Sequence, residues 1–156
     1  MKYFYKIENG KLIKGSGIKV PTGFTEYSKD NLPSDFMQLQ NEELLAKTKQ
    51  DKIKALKKTR NILVNDSVVK LKSGEELNGN EKAQDRLSAI LQTSIMAIDF
   101  IDAYNNTVTL DRSKLSEALD LAVNKQSEIY IKFNSLRTKV NECGSIEEVD
   151  KIVWEA

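Results

Sequence analysis

The chain has 156 residues, with 24 basic and 23 acidic side chains, no histidine and one cysteine. The net charge of +1 argues against a generally basic nucleic-acid binder. The lack of histidine excludes Ser-His-Asp and Cys-His nucleophiles and histidine-based metal sites. The single Cys143 excludes an intramolecular disulfide and a multi-cysteine zinc site. A compact globule of this mass exposes roughly 8,000 Å², which leaves enough buried surface for a hydrophobic core.

The first 36 residues predict a small β-hairpin unit. Aromatic and β-branched residues stand on both sides of Asn9-Gly10, and this pair favours a two-residue hairpin turn because both positions need positive φ. A further extended piece is expected at residues 18–20. Such a unit is too small to be stable alone. We therefore divide the chain into a β-hairpin unit, 1–36, and a mainly helical domain, 37–156.

Five aromatic residues of this first unit form a candidate partner-binding surface. In a strand, Tyr3 and Tyr5 share one face and Phe4 takes the other, so both faces of the unit are apolar and one of them needs cover. The cover could come from the helical domain or from another protein, and the sequence leaves both alternatives open. The candidate residues are Tyr3, Phe4, Tyr5, Phe24 and Tyr27.

A long polar helix is predicted from about Ser34 to Ile62, because no glycine or proline interrupts it. Its segment from Lys47 to Arg60 carries seven positive groups and one negative group. The charge surrounds the helix, and no aromatic residue is interleaved for stacking on nucleic-acid bases. A solvated helix face is the favoured interpretation, and a binder of an acidic protein or of nucleic acid remains an alternative.

The middle of the chain predicts a short hairpin at 68–77, a helix capped by Asn80 and a short strand at 107–110. Apolar residues at helical spacing extend the predicted helix to about Ile101. These are Ala83, Leu87, Ile90, Leu91, Ile95 and Ile98.

The most regular pattern is a heptad seam in the helix that Asp111 or Ser113 would cap. Its positions alternate in spacings of four and three, and they are Leu115, Leu119, Ala122, Gln126, Ile129, Phe133, Leu136 and Val140. A polar residue such as Gln126 at a seam position can fix the register of an oligomer. The seam could join several chains, or it could be the buried face of a bundle within one chain. Gly144 is the expected stop, and Ser145-x-x-Glu148 predicts a capping box for a last short helix.

These elements predict a mainly α (α+β) fold. We expect a helical bundle with one long heptad-patterned helix, short strands between helices and the small N-terminal β-hairpin unit.

The residues predict no enzyme, and we expect no catalytic, cofactor-binding or metal-binding residues. The sequence has no glycine-rich phosphate loop, and its carboxylate pairs, such as Asp99 with Asp102, are typical of solvated surface. Cys143 falls at a helix end, where the negative end of the helix dipole disfavours a thiolate. Charge interrupts the first residues too early for a signal peptide, and no apolar run approaches a membrane span, so we expect no membrane partner.

The order of elements from residue 60 onward resembles a family of uncharacterised domains in tailed phages and prophages, found in tail-fibre proteins and in small proteins encoded beside them. The matching pieces are Lys57-Lys58-Thr59-Arg60, 68–74, 83–98, 106–111, 115–140 and 145–154. The N-terminal hairpin resembles the openings of tail-fibre assembly proteins.

This resemblance implies a non-enzymatic tail-associated protein, either a tail-fibre assembly factor or a fibre-bound adaptor, whose partner is the tail fibre or another tail component. It would be found in the host cytoplasm or in the virion tail. One alternative is a structural, trimeric subunit of a fibre or baseplate, joined through the seam as a homo-oligomer. Another is a small regulatory binder that uses the basic helix 47–60. The family supplies no catalytic residue.

Overall fold

The computed structural model describes residues 1–155, and within that range it contains four helices and seven strands. Helix accounts for 52% of these residues and strand for 23%. The strands are β1 (Lys2–Glu8), β2 (Lys11–Gly17), β3 (Thr25–Tyr27), β4 (Val68–Lys70), β5 (Glu76–Asn78), β6 (Ala97–Ile101) and β7 (Thr107–Asp111). The helices are α1 (Ser34–Asn65), α2 (Glu81–Leu91), α3 (Arg112–Glu142) and α4 (Ile146–Lys151).

The fold is mixed α/β, so the expected helical bundle with one long helix is wrong. Three small antiparallel sheets contribute strands in the orders β2-β1-β3, β4-β5 and β6-β7. Two helices are long, since α1 has 32 residues and α3 has 31. The bundle prediction failed in part because residues 97–101, assigned to the end of a helix, form strand β6 and pair with β7.

The N-terminal hairpin forms as predicted. Asn9 and Gly10 have φ of 53° and 72°, and Glu8 pairs with Lys11 across the two-residue turn. The third strand differs from the expectation, because residues 18–20 pair with nothing in the sheet and β3 takes that place. A turn closed by the Phe24 amide and the Pro21 carbonyl, 3.1 Å apart, leads the chain into β3.

A first core cluster joins the β4-β5 hairpin, α2, the β6-β7 hairpin and the N-terminal half of α3. Its centre consists of side chains that are fully or almost fully buried. They are Val69, Leu71, Leu77, Leu87, Phe100, Leu110, Leu115, Ala118 and Ala122. Each buried valine, leucine or phenylalanine side chain among them contributes roughly 1.5–3 kcal/mol when it is removed from water.

A second core cluster joins α1, the C-terminal half of α3 and α4. Its buried members are Leu56, Phe133, Val140 and Val149, and Leu45, Ile53, Leu136, Ile152 and Trp154 pack around them. Because α3 contributes to both clusters, it holds the two halves of the helical region together.

The predicted helix over residues 80–101 is too long, because α2 ends at Leu91. Thr93 Oγ1 donates to the Ile90 carbonyl at 2.7 Å and accepts from the Ile95 amide at 3.2 Å, so its hydroxyl competes with the helical pattern. The chain then becomes strand β6, in which Ile98 pairs with Leu110 of β7.

The N-caps of α2, α3 and α4 agree with the sequence, whereas α1 begins after Pro33 without a side-chain cap and Gly144 differs from its expected role. Asn80, Asp111 and Ser145 each accept a hydrogen bond from the amide three residues later, as N-cap side chains do. Gly144 is not left-handed, since the glycines with positive φ are Gly10, Gly23 and Gly74. α3 instead ends at Cys143, whose extended backbone turns the chain towards α4.

The folded chain exposes 10525 Å², whereas a compact globule of its mass exposes roughly 8,000 Å². Among residues 1–155, no helix combines the length and the apolar character of a membrane span. The extra exposed area comes with several large apolar side chains on the surface, including Ile18, Met96, Ile131 and Val153.

Candidate functional site

The five candidate aromatic residues lie together in and beside the N-terminal sheet, but on its two opposite faces. Tyr3 pairs with Tyr27, which places both on the face of Tyr5, whereas Phe4 points to the other face. Phe24 precedes β3 and packs against Phe4, with ring centroids 5.4 Å apart in an edge-to-face arrangement. The sheet therefore has a tyrosine face and a phenylalanine face.

The start of α1 covers the tyrosine face. Phe36 packs against the rings of Tyr5 and Tyr27, with centroids 5.3 Å and 4.8 Å apart. The Tyr5 hydroxyl donates to the Asp35 carboxylate at 3.1 Å. Burial raises the pKa of Tyr5, and the hydrogen bond and negative charge of Asp35 raise it further. The part of this face around Tyr5 and Tyr27 is therefore an internal contact between the sheet and α1, whereas Ile7 at its far end is 42% exposed.

No element among residues 1–155 forms a comparable layer over the phenylalanine face. The Phe4 ring lies against β2 at Gly15, where an added Cβ would come within 2.6 Å of the ring. The Lys6 amine stands 5.2 Å from the centroid of the Phe24 ring. Ile13, which pairs with Lys6, is 38% exposed on the same face. The phenylalanine face thus combines two aromatic rings, one exposed aliphatic residue and a nearby cation.

Charged side chains share the phenylalanine face. Lys2, Lys6 and Glu8 alternate onto it along the central strand β1, and Glu26 of β3 pairs with Phe4. Lys2 and Glu26 form an ion pair at 2.7 Å, and Lys6 and Glu8 form one at 3.1 Å. These pairs are largely exposed, so they add little stability.

The structure divides the basic segment of α1 into two groups. The Lys49 amine donates to the Asn141 carbonyl at 2.8 Å, and the Lys52 amine donates to the Ile152 carbonyl at 3.1 Å. The Arg60 guanidinium lies 4.8 Å from the centroid of the Phe133 ring. These three cations therefore attach α1 to α3 and to the end of α4.

The other four cations of this segment are exposed and make no hydrogen bond or ion pair with residues 1–155. They are Lys47, Lys54, Lys57 and Lys58. Three of them, together with Asp51, follow one side of the helix at spacings of three and four residues. This outward stripe is what remains of the basic surface that the sequence suggested.

The heptad seam of α3 faces the interior of the same chain. Leu115, Leu119 and Ala122 belong to the first core cluster, and Phe133, Leu136 and Val140 belong to the second. Ile129 is half-buried between them.

Gln126, the polar position of the seam, is also satisfied within the chain. Its Oε1 accepts from Gln84 Nε2 at 2.6 Å, and its Nε2 donates to Glu81 Oε1 at 3.1 Å. The amide therefore links α3 to the first turns of α2.

The carboxylate pairs do not converge. Asp99 accepts from Thr109 Oγ1 across the β6-β7 hairpin at 2.7 Å. Asp102 accepts from the amides of Tyr104 and Asn106, both at 2.8 Å, and these bonds, led by those from Asn106, lower its pKa. In residues 1–155 no three Asp, Glu, Cys or His side chains come together as a metal site would require. The half-buried thiol of Cys143 donates to the Lys139 carbonyl at 3.2 Å.

One surface feature escaped the sequence reasoning. A groove of about 590 Å³ runs beside the C-terminal half of α3, between that helix and the segment after α4. Ile131 and Val153 line it, and they are 68% and 56% exposed. Ile131 lies outside the heptad positions, so the seam pattern did not single it out.

Comparison with known proteins yields no relative: no protein-family model, no curated protein and no solved structure matches the chain.

Proposed function

We propose that the protein is a non-enzymatic binding protein that holds a protein partner on the phenylalanine face of its N-terminal sheet. The observation that carries this proposal is the unequal cover of the two faces. Phe36 and the start of α1 cover Tyr5 and Tyr27 on the tyrosine face, although Ile7 at the far end of that face is 42% exposed. Phe4, Phe24 and Ile13 have no comparable layer over them in residues 1–155. Aromatic side chains around an exposed aliphatic residue are typical of the centres of protein interfaces.

The proposed partner is a tail fibre or another tail component of a phage or prophage. The resemblance of the hairpin and of residues 60–156 to tail-fibre-associated proteins supports this choice. The protein would act as an assembly factor or as a fibre-bound adaptor, by covering apolar surface on the fibre before or during assembly. The large exposed area of the chain suits a protein that works by contact.

The test is co-purification of the chain with the fibre protein encoded beside its gene. Ile13→Lys adds a charge to the phenylalanine face, and we expect it to weaken the affinity by about tenfold or more. Ser16→Lys adds the same charge to the same strand on the opposite face, and it should change the affinity by less than about threefold. Both sites are exposed, so neither substitution should unfold the sheet.

Deletion of the gene tests whether the fibre needs the protein in order to form in a soluble state. If soluble fibre forms normally without the protein, and the purified chain does not bind the fibre, the proposal is wrong. Mass spectrometry of purified virions separates the two forms of the proposal, because an adaptor stays in the particle in fixed copy number and a transient assembly factor does not.

A second candidate function rests on the outward lysine stripe of α1, which would bind an acidic protein or nucleic acid. Replacing the three lysines of the stripe and the neighbouring exposed Lys57 by glutamine should abolish such binding, measured with duplex DNA and with an acidic polypeptide at low salt. A matched control removes four other exposed lysines and the same total charge: Lys11, Lys19, Lys72 and Lys82. Equal losses in both variants would mean that the stripe has no special role.

A further inference from the structure

The groove beside the C-terminal half of α3 offers a second, independent interaction surface. From α3 it is lined by Glu128, Ile131, Lys132, Ser135, Leu136 and Lys139, and the other wall includes Ile152, Val153 and Glu155. Spacings of three and four residues place the six α3 residues on one side of the helix, next to the seam. Leu136 belongs to both, because it packs against the second core cluster and also lines the groove. We call these six residues the outer face.

The segment after α4, residues 152–155, contacts one side of this face through Lys132. The Lys132 amine donates to the Glu155 carbonyl and lies 5.8 Å from the centroid of the Trp154 ring. Lys132 is therefore drawn away from the middle of the face, where Ser135 leaves room for close approach. Ile131 stays 68% exposed next to it.

The outer face is complementary to itself when two copies run antiparallel. A twofold axis that crosses α3 between Phe133 and Asn134 sets Glu128 opposite Lys139 of the second copy. The same axis sets Ile131 opposite Leu136, and Lys132 opposite Ser135. Glu128 and Lys139 thus meet opposite charges, and Ile131 meets the part of Leu136 that lines the groove, as a self-complementary twofold interface requires.

Charge decides the direction of pairing. In a parallel arrangement Glu128 would face Glu128 and Lys139 would face Lys139, and like charges at these positions repel. In the antiparallel arrangement each end of the interface holds one acidic and one basic side chain, and the dipoles of the two helices oppose each other favourably.

We propose that the outer face binds a second copy of this chain, α3 against α3, in an antiparallel twofold dimer. The face rises roughly 17 Å along the helix from Glu128 to Lys139. A contact of this length, with Val153 beside it, lies at the small end of specific interfaces, so a dissociation constant on the order of micromolar is expected.

The test is a charge-reversal cycle read by analytical ultracentrifugation. Glu128→Lys and Lys139→Glu each place like charges opposite one another, and each should raise the dimer dissociation constant about tenfold or more. The double variant restores opposite charges and should return to within about threefold of the original chain. An equimolar mixture of the two single variants should form a heterodimer, because one face is then all basic at its ends and the other all acidic.

Two controls change the same charge elsewhere. Asp120→Lys, on an exposed side of α3 outside the outer face, matches Glu128→Lys, and Lys82→Glu on α2 matches Lys139→Glu. Both should leave the dissociation constant unchanged.

A chain that stays monomeric up to about 500 µM would overturn the proposal, because the expected dimer is then fully formed. A dimer whose dissociation constant does not change in the charge-reversal variants would also overturn the proposal. Binding of an acidic peptide to this face in place of a second copy would overturn it as well. The experiment needs only the chain itself, so its outcome is independent of fibre binding.

Discussion

The guanidinium of Arg112 lies 2.8 Å from the carbonyl oxygen of Thr93, just beyond the last turn of α2. It also donates to the Leu91 carbonyl, while the Arg112 amide donates to the Met96 carbonyl at 3.1 Å. The first residue of α3 therefore satisfies carbonyl groups at the end of α2 and at the start of β6. A cation is also favoured there by the negative end of the α2 dipole.

Replacing Arg112 should therefore leave the carbonyl groups at the end of α2 without these hydrogen bonds and destabilise the fold. Arg112→Met removes every side-chain donor, and we expect a loss of about 1–3 kcal/mol in the free energy of unfolding, measured in urea. Arg112→Lys should recover only part of this loss, because an ammonium lacks the planar fork of donors. Lys82→Met, at an exposed position of α2, should change stability by less than about 0.5 kcal/mol. Equal urea midpoints for Arg112→Met and the original chain would contradict this role.

The hairpin turn and the N-caps of three helices could be predicted from the sequence. Asn9-Gly10 predicted the turn because few other pairs accept positive φ at both positions, and Asn80, Asp111 and Ser145 predicted the helix starts because their side chains bond nearby amides. These features depend on residues within about four positions of one another.

Features that depend on residues distant in the sequence could not be predicted. Ile95 and Ile98 fit a helix by spacing, but residues 97–101 became strand because Thr107–Asp111 could pair with them. The sequence separated Phe4 from Tyr3 and Tyr5 by strand alternation. It could not tell which face α1 would cover, because that depends on Phe36 meeting Tyr27.

Gly79 should not tolerate a side chain. It is buried between the β4-β5 hairpin and α3, and an added Cβ would lie 3.0 Å from Ser67 Oγ and 3.1 Å from Val69 Cγ1. Gly79→Ala should therefore destabilise the chain by about 1–3 kcal/mol through overpacking, as measured by urea unfolding. Gly144→Ala is the matched control, because its Cβ would meet only a Glu148 carboxylate oxygen at 3.7 Å. Equal stability of the two variants would show that the packing around Gly79 yields easily.

The ion pair between Glu75 and Lys114 should make stability fall in acid. Their atoms are 2.6 Å apart, and the hydrogen bond from Lys114, followed by that from Ser73, lowers the pKa of Glu75 from 4.5 to about 2. Because the folded-state pKa is below the unfolded value, this stabilisation is complete above pH 4.5 and is lost as the pH falls towards 2.

The measurement is the difference in melting temperature between the original chain and Glu75→Gln as a function of pH. The difference should shrink as the pH falls from 4.5 towards about 2. In a Lys114→Met background the same substitution should show a weaker pH dependence, because the main cause of the shift is gone. A difference that stays constant across this range would contradict the coupling.

Gln126→Leu separates the seam of α3 from its outer face. If the seam packs within the chain, a leucine there should leave the molecular mass in light scattering unchanged at every concentration. It should cost about 1 kcal/mol or less, because Gln84 Nε2 keeps its 2.8 Å hydrogen bond to the Gly79 carbonyl. A seam that joins three chains would respond in the opposite way, because an apolar residue at this position would strengthen the trimer.

Ile131→Asp is the paired substitution on the same helix. Ile131 is 68% exposed, so an aspartate there should leave the fold stable but should shift the chain to monomer by placing a charge in the proposed dimer contact. If the outer face forms the dimer, the molecular mass stays unchanged in Gln126→Leu and falls to that of a monomer in Ile131→Asp. If the molecular mass rises in Gln126→Leu and does not change in Ile131→Asp, the seam, and not the outer face, joins the chains.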